Sequence, residues 1–344
     1  LNIGNVELTP DGPEFAVIAE IGNNHGGSVT TAVQMIEAAA ECGVQAVKFQ
    51  TRTIDVCYTG EMLARPYVND YSEGPTYGEH RRRLELPQRA YPRLMDVAKE
   101  CGVELFSTPF DLTALEFLDS LGVRLFKVAS GLVGDVPLLR AMAKIGKPVI
   151  LSTGGCTPGD VARAVIELGS CDVAILQCTA AYPCEASDLN LRVIQSYREV
   201  FANAVIGLSD HYHTIVPGPP AYALGARIFE KHFTLNRAWK GTDHAFSLEP
   251  VGLRKYCRDL ERTAAALGSP IKSPLEVERG PLVKMGKAIV AARELDEGQE
   301  LTSGDVEAKS PAEGMAAWKW DRALGKRVLR PFGKDEPLSS GDLE

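Results

Sequence analysis

Eight short apolar runs, each followed by a stretch with helical spacing, constrain this chain more than any other feature. They are FAVIAEI (15–21), AVKFQ (46–50), ELFST (104–108), LFKVA (125–129), VILST (149–153), VAILQCT (173–179), VIGLS (205–209) and IFEKHF (228–233). Nearly all are continuously apolar rather than alternating, the texture of parallel strands buried on both faces. Eight βα units in about 260 residues is the size and rhythm of a (β/α)8 TIM barrel, an α/β fold. A doubly wound sheet is the alternative, but no GxGxxG follows the first run.

Helices are expected over 29–42 with Ser28 as cap, then over 89–101, 112–121, 136–145, 159–168, 191–201 and 251–267, with an apolar segment around Tyr222. A short N-terminal hairpin precedes the first run. The excursion from Arg52 to about Leu86 is too long for an ordinary connection and reads as a lid or substrate loop. Its triplet Arg81–Arg83 fits either that role or a solvated helix face. Periodicity lapses over 269–287, a linker with three prolines and two glycines. From 288 to 344 two similar pieces follow, AIVAARELDEGQELTSGDVE and KRVLRPFGKDEPLSSGDLE, forming a small β-rich domain with weak internal duplication. The barrel domain therefore spans 1–268.

A net charge of −8 argues against nucleic acid or an anionic membrane as partner. No apolar run reaches the length of a membrane span, and LNIGNVELTP lacks the charged and apolar regions of a signal peptide. Eight scattered cysteines without a CxxC read as reduced thiols of a cytoplasmic protein; Cys178 and Cys184 fall near a strand end.

In a barrel, function gathers at the C-terminal ends of the strands. There stand Glu20, Asn23-Asn24-His25, Lys48, Gln50, Ser107-Thr108, Lys127, Ser130, Ser152, Thr179, Tyr182, Ser209-Asp210-His211, Glu230 and His232. Strand parity puts Lys48 and Gln50 on one face with Ala46, Ser209 and His211 with Gly207, and Glu230 and His232 with Ile228. Buried lysines in apolar strands are costly unless a ligand or carboxylate meets them. Lys48 and Lys127, with the serines and the STGG turn, suit a ligand bearing phosphate and carboxylate. The imidazoles of His211 and His232 suit a divalent metal with open positions, against the plainer reading of two hydrogen-bonded, half-buried histidines. A Schiff-base aldolase using Lys48 or Lys127 competes. So does a metal hydrolase built on His211 and His213, although the carboxylates of a two-metal site are lacking.

The motifs AEIGNNHGG, AVKFQT, TYGEHR, FSTPFD, FKVASG, ILSTGG, CTAAYP, GLSDH, EKHFT and TDHAFSL together resemble the sialic acid synthase family. The tail, from AIVAARELDEGQ to LSSGDLE, is similar to that family's C-terminal antifreeze-like (SAF) domain. The resemblance implies a transferase that condenses phosphoenolpyruvate with an aldose such as N-acetylmannosamine, giving a nonulosonic acid and phosphate. It implies that His211 and His232 hold Mn2+ or Mg2+. Lys48, Lys127, Ser130, Ser152 and Ser209 would bind phosphoenolpyruvate. Glu20, Gln50, Tyr182 and Asp243 would position the sugar, the aldehyde and the attacking water. It also implies a homodimer in which the SAF domain of one subunit covers the barrel mouth of the other.

Three departures fall on the acceptor side. Leu132 stands where the family commonly has glutamate, Ser310 where it has an arginine near the N-acetyl group, and Ala180 where it has asparagine or serine. Losing a charged contact leaves its partner unsatisfied, so the acceptor is expected to differ from N-acetylmannosamine. The alternatives are a true N-acetylneuraminate, legionaminate or pseudaminate synthase, or a barrel that binds anions as a scaffold without condensing them.

Overall fold

The computed structural model describes residues 1–344, which divide into two compact units, Leu1–Gly268 and Ser269–Glu344. The chain enters through a hairpin of β1 (Asn2–Ile3) and β2 (Val6–Glu7). Ile3 and Leu8 from this region join the barrel's inner core. The barrel strands are β3 (Ala16–Gly22), β4 (Ala46–Thr51), β5 (Glu104–Pro109), β6 (Phe126–Val128), β7 (Val149–Ser152), β8 (Val173–Cys178), β9 (Val205–Asp210) and β10 (Ile228–His232). All pairings among them are parallel, in the order β5-β4-β3-β10-β9-β8-β7-β6. The eighth seam, between β5 and β6, has no hydrogen-bond ladder. At three residues β6 is the shortest of the barrel strands, and the chain turns at Ser130–Leu132 soon after it.

Parity sorts the side chains into two cores. Ala16, Ile18, Ala46, Phe106, Ile150, Leu176 and Ile228 fill the bore. Val17, Val47, Leu105, Leu151, Ile175, Leu208 and Phe229 face the helices instead. The bore leaves no room for a side chain at Gly207, where a Cβ would lie 2.4 Å from both the Ile228 carbonyl oxygen and Leu176 Cδ2. At the top of β3 the register with β4 slips between Glu20 and Gly22, and Gly22 adopts φ +53°. A bulge of this kind bends the strand and re-aims the side chains beside it.

Helices over Val29–Ala40, Tyr91–Glu100, Leu112–Ser120, Val136–Ile145, Pro158–Leu168, Val193–Val200, Gly218–Ala223 and Pro250–Leu267 surround the strands. Ser28 caps the first of them by accepting from Thr31 N at 3.2 Å. The excursion after β4 is not structureless: it holds helices at Ile54–Cys57, Gly60–Ala64 and Tyr77–Leu84.

In the second unit the segment read as linker contains a short helix, Arg279–Met285. Beyond it β11 (Ala288–Ala291) pairs antiparallel with β12 (Val306–Lys309). Bridges Val290–Pro337, Leu295–Phe332 and Glu300–Arg327 join the two similar pieces. Each piece closes with the same turn. Asp305 Oδ2 accepts from Thr302 N at 2.8 Å, and Asp342 Oδ2 accepts from Ser339 N at 2.8 Å. Ile289, Leu295, Leu301, Val328, Phe332 and Leu338 form this unit's own core. No helix of the chain is long and apolar enough to cross a membrane.

Candidate active site

A cavity of about 920 Å³ opens at the C-terminal ends of the barrel strands. Glu20, Lys48, Gln50, Lys127, Ser130 and Ser152 line it, as do Tyr182, Ser209, His211, His232 and Asp243. Residues spread over more than two hundred positions thus meet because each stands at, or just past, the tip of a parallel strand.

The floor is a cluster of buried charge. Lys48 Nζ lies 2.7 Å from Glu20 Oε2 and 3.8 Å from Glu230 Oε2, and donates to Thr108 Oγ1 at 3.2 Å. Lys127 Nζ lies 4.0 Å from the same Glu230 oxygen and donates to Ser152 Oγ at 2.7 Å. Ser209 donates to Glu230 Oε1 at 3.1 Å, while Glu230 Oε2 has no hydrogen-bond donor. Gln50 donates to Glu20 Oε1 at 2.8 Å; its own carbonyl accepts from Arg52, whose guanidinium is paired with Glu85. That chain of bonds fixes which way the Gln50 amide points.

The two carboxylates diverge in their hold on a proton. Burial raises the pKa of Glu20, with Lys48 only partly offsetting it. At Glu230 burial acts the same way, but attraction from Lys127 and Lys48 outweighs it and the pKa falls. The lysines diverge as well. Burial lowers Lys127, whereas at Lys48 the flanking carboxylates overcome burial and raise it. Groups pushed apart in this way are suited to exchange protons with a bound reactant.

Above the floor stand the two imidazoles, with ring centroids 5.3 Å apart. His211 Nδ1 lies 2.7 Å from the Thr179 carbonyl oxygen, which can only accept, so Nδ1 carries a proton; burial opposes a second one, but Cys178 and the Thr179 carbonyl outweigh it and raise the pKa, and Nε2 offers its lone pair in the neutral ring. His232 is held neutral, its pKa pulled down to about 3 by burial. Its Nδ1 is buried without a hydrogen-bond partner, 3.7 Å from Asp243 Oδ2. Tyr182, 56% exposed, covers the pair with its ring centroid 4.2 Å from that of His211.

This donor set fits a divalent cation. Imidazoles are good ligands in their neutral form, and no third His, Cys, Asp or Glu completes a closed cage, so open positions remain for a reactant. The charge balance points the same way. Two lysines and two glutamates sum to zero, so an anion entering the floor calls for further positive charge nearby.

Several residues of the site carried no assigned role in the sequence. Glu230 bridges both lysines, and its shared parity with His232 was the available signal. Of the arginine triplet, Arg81 turns inward: it lines the cavity, donates from Nε to Tyr77 Oη at 2.8 Å, and its guanidinium lies 5.1 Å from the centre of the Tyr77 ring. Arg82 and Arg83 are exposed, so both readings of the triplet hold at different residues. Leu132 and Ala180 also line the cavity, and Cys178 does while Cys184 does not. His213 is exposed and outside it, which removes the geometry of a His211–His213 hydrolase. Ser310 lies in the second unit and donates to the Met285 carbonyl at 3.3 Å.

A near-closed parallel barrel with paired imidazoles over a lysine–carboxylate floor, followed by a small β-rich unit, defines the class: a TIM-barrel enzyme with a charged cavity at its strand tips and a C-terminal domain. Residues 35–272 match the NeuB family and residues 286–344 the SAF domain, and the chain belongs to the NeuB family. It is 37% identical to the N-acetylneuraminate-9-phosphate synthase of Mus musculus over 95% of this chain and 92% of that protein. It is 34% identical to the N,N'-diacetyllegionaminic acid synthase of Campylobacter jejuni, over 93% of this chain and 97% of that one. Among solved structures, the N-acetylneuraminic acid synthetase of Leptospira borgpetersenii superposes with a TM-score of 0.72 at 29% identity, covering 82% of this chain and 94% of that one.

Proposed function

We propose that the chain condenses phosphoenolpyruvate with an aldehyde or aldose, giving a 3-deoxy-2-keto sugar acid and inorganic phosphate, in a reaction that needs a divalent metal. The observation that carries this reading is the buried pair Lys48 and Lys127, set among Ser130, Ser152 and Ser209 beneath two imidazoles. Phosphate and carboxylate on one small ligand match two ammonium groups and a ring of hydroxyl donors. Mn2+ or Mg2+ held by His211 and His232 would supply polarisation of the acceptor carbonyl.

The bond changes are balanced. C3 of phosphoenolpyruvate attacks the carbonyl carbon, forming the C–C bond. Water then adds at C2, and the C2–O bond to phosphate breaks, leaving a ketone and releasing phosphate. One proton from the water ends on the acceptor oxygen, and the other, lost from the C2 hydroxyl as the ketone forms, ends on the departing phosphate. Glu20, whose hold on a proton burial strengthens, takes the first proton and passes it on. Glu230, whose pKa is lowered, stays ionised and holds both lysines in register. Gln50 orients Glu20, and Tyr182 and Asp243 close over the histidine end.

The acceptor then occupies the outer part of the cavity, where Arg81, Tyr58, Tyr71, Asp135, Thr242 and the apolar Leu132 and Ala180 stand. Leu132 and Ala180 support an acceptor other than N-acetylmannosamine. The names of the relatives favour the second reading, a true N-acetylneuraminate or legionaminate synthase. Phosphate release from phosphoenolpyruvate, with and without Mn2+ and a panel of aldehydes, followed by mass spectrometry of the products, decides between them. Efficient turnover of N-acetylmannosamine overturns the altered acceptor, and no phosphate release with any aldehyde overturns the condensation. Arg81→Ala is expected to raise the acceptor KM roughly 10- to 100-fold, the range of one charged hydrogen-bonding group, with the KM for phosphoenolpyruvate little changed. In this reading the chain works in the cytoplasm, supported by eight free thiols, and as a homodimer that exchanges its SAF units.

A further inference from the structure

The buried charges of the barrel divide by strand parity. Lys48, Lys127, Glu20 and Glu230 project into the bore. Lys231 and Asp210 have the opposite parity and lie with Phe229, Phe233 and Leu208 on the helix-facing side of the strands. They are 0% and 1% exposed, and neither lines the cavity, so neither touches what binds there. Desolvating two charges in such a place is unfavourable, and apolar residues of similar volume often serve stability as well or better. Stability alone therefore does not account for the pair.

Its geometry does. Lys231 Nζ donates to Asp210 Oδ2 at 2.6 Å and also to the Tyr212 carbonyl oxygen. Asp210 Oδ1 accepts from Tyr212 N at 2.8 Å. The residues on both sides of His211 are thus held by one ammonium group, which is itself the residue between Glu230 and His232. From the other direction the Thr179 carbonyl fixes the His211 ring.

We infer that Lys231 and Asp210 are positioning residues: a crosslink on the outer wall of the barrel sets the separation of His211 and His232 and the aim of their free ring nitrogens, and through it the affinity for a divalent cation. The inference rests on the metal reading above.

The test is Mn2+ calorimetry on the full chain, with nitrogen-15 NMR of the histidine rings, for the wild type, the double variant Lys231→Met/Asp210→Leu, and Asp210→Asn, which keeps the turn over His211 but loses the charge. The double variant is expected to fold with a melting temperature near that of the wild type. Its Mn2+ affinity should fall at least tenfold, and its His211 ring signals should shift from a single Nδ1–H tautomer to a mixture. Asp210→Asn should fall between. A folded double variant with wild-type Mn2+ affinity overturns the inference; so does failure of both variants to fold, since the pair then serves stability. If the wild type itself binds no Mn2+, the metal reading fails on its own. The ring signals then judge the crosslink alone: an unchanged His211 tautomer in the variants overturns it.

Discussion

His25 shows at the scale of one side chain how burial decides which groups hold a proton. It sits just past β3, 3% exposed, with Nδ1 accepting from Gly27 N at 3.0 Å. Burial lowers its pKa to about 4, against about 6.5 when unfolded. A group depressed in this way binds fewer protons folded than unfolded. Its stabilisation is complete above the unfolded value and is lost as pH falls from about 6.5 through about 4. The loss is on the order of 3 kcal/mol for a shift of this size. Urea unfolding with chelator present should show it between pH 7 and pH 4.5, and His25→Gln should flatten the dependence. An equal slope in that variant would count against the assignment. Many of the site's residues were legible at this scale, because polar side chains at the ends of apolar runs have few other reasons to be there. Arg81 was not, since three consecutive arginines look alike until the helix Tyr77–Leu84 turns one of them inward. Lys231 was hidden for another reason: its neighbours Glu230 and His232 drew attention to the opposite face of the same strand.

At the scale of elements, the eight apolar runs became eight strands with ends displaced by no more than one residue, as with Phe15–Ile21 becoming Ala16–Gly22. Runs this apolar have only one way to bury both faces. The excursion after β4 was harder to read, because its helices at Ile54–Cys57, Gly60–Ala64 and Tyr77–Leu84 are short and held by tertiary contacts such as Arg52 with Glu85. The duplication in the second unit was legible, and the identical Thr302–Asp305 and Ser339–Asp342 turns are its physical counterpart. Gly207 carries a prediction at this scale. A methyl group there meets the backbone of β10 and the side chain of Leu176, so Gly207→Ala should destabilise the barrel by about 1–3 kcal/mol, the usual range for overpacking. Ser209 and His211 lie on the same face of β9, so activity should fall in step with the displacement. Denaturant unfolding alongside phosphate-release assays reads both, and a fully active variant of unchanged stability would refute the packing argument.

For the whole molecule, the separate cores of the two units predict that residues 1–268 fold without the tail. If the SAF unit covers a partner's site as proposed, the truncated chain should be monomeric by sedimentation. It should retain phosphoenolpyruvate binding while losing most acceptor turnover. Full activity from the truncated chain would show that the tail is dispensable. The sequence alone determined the barrel, the position of the second domain and the residues at the strand tips, because hydrophobic period and strand parity are local and survive in one dimension. Only tertiary structure decided which carboxylate has its pKa raised and which lowered, which of three arginines faces the cavity, and which lysine braces the wall from behind. Those outcomes depend on distances between groups far apart in the chain, and on burial, which no local pattern specifies.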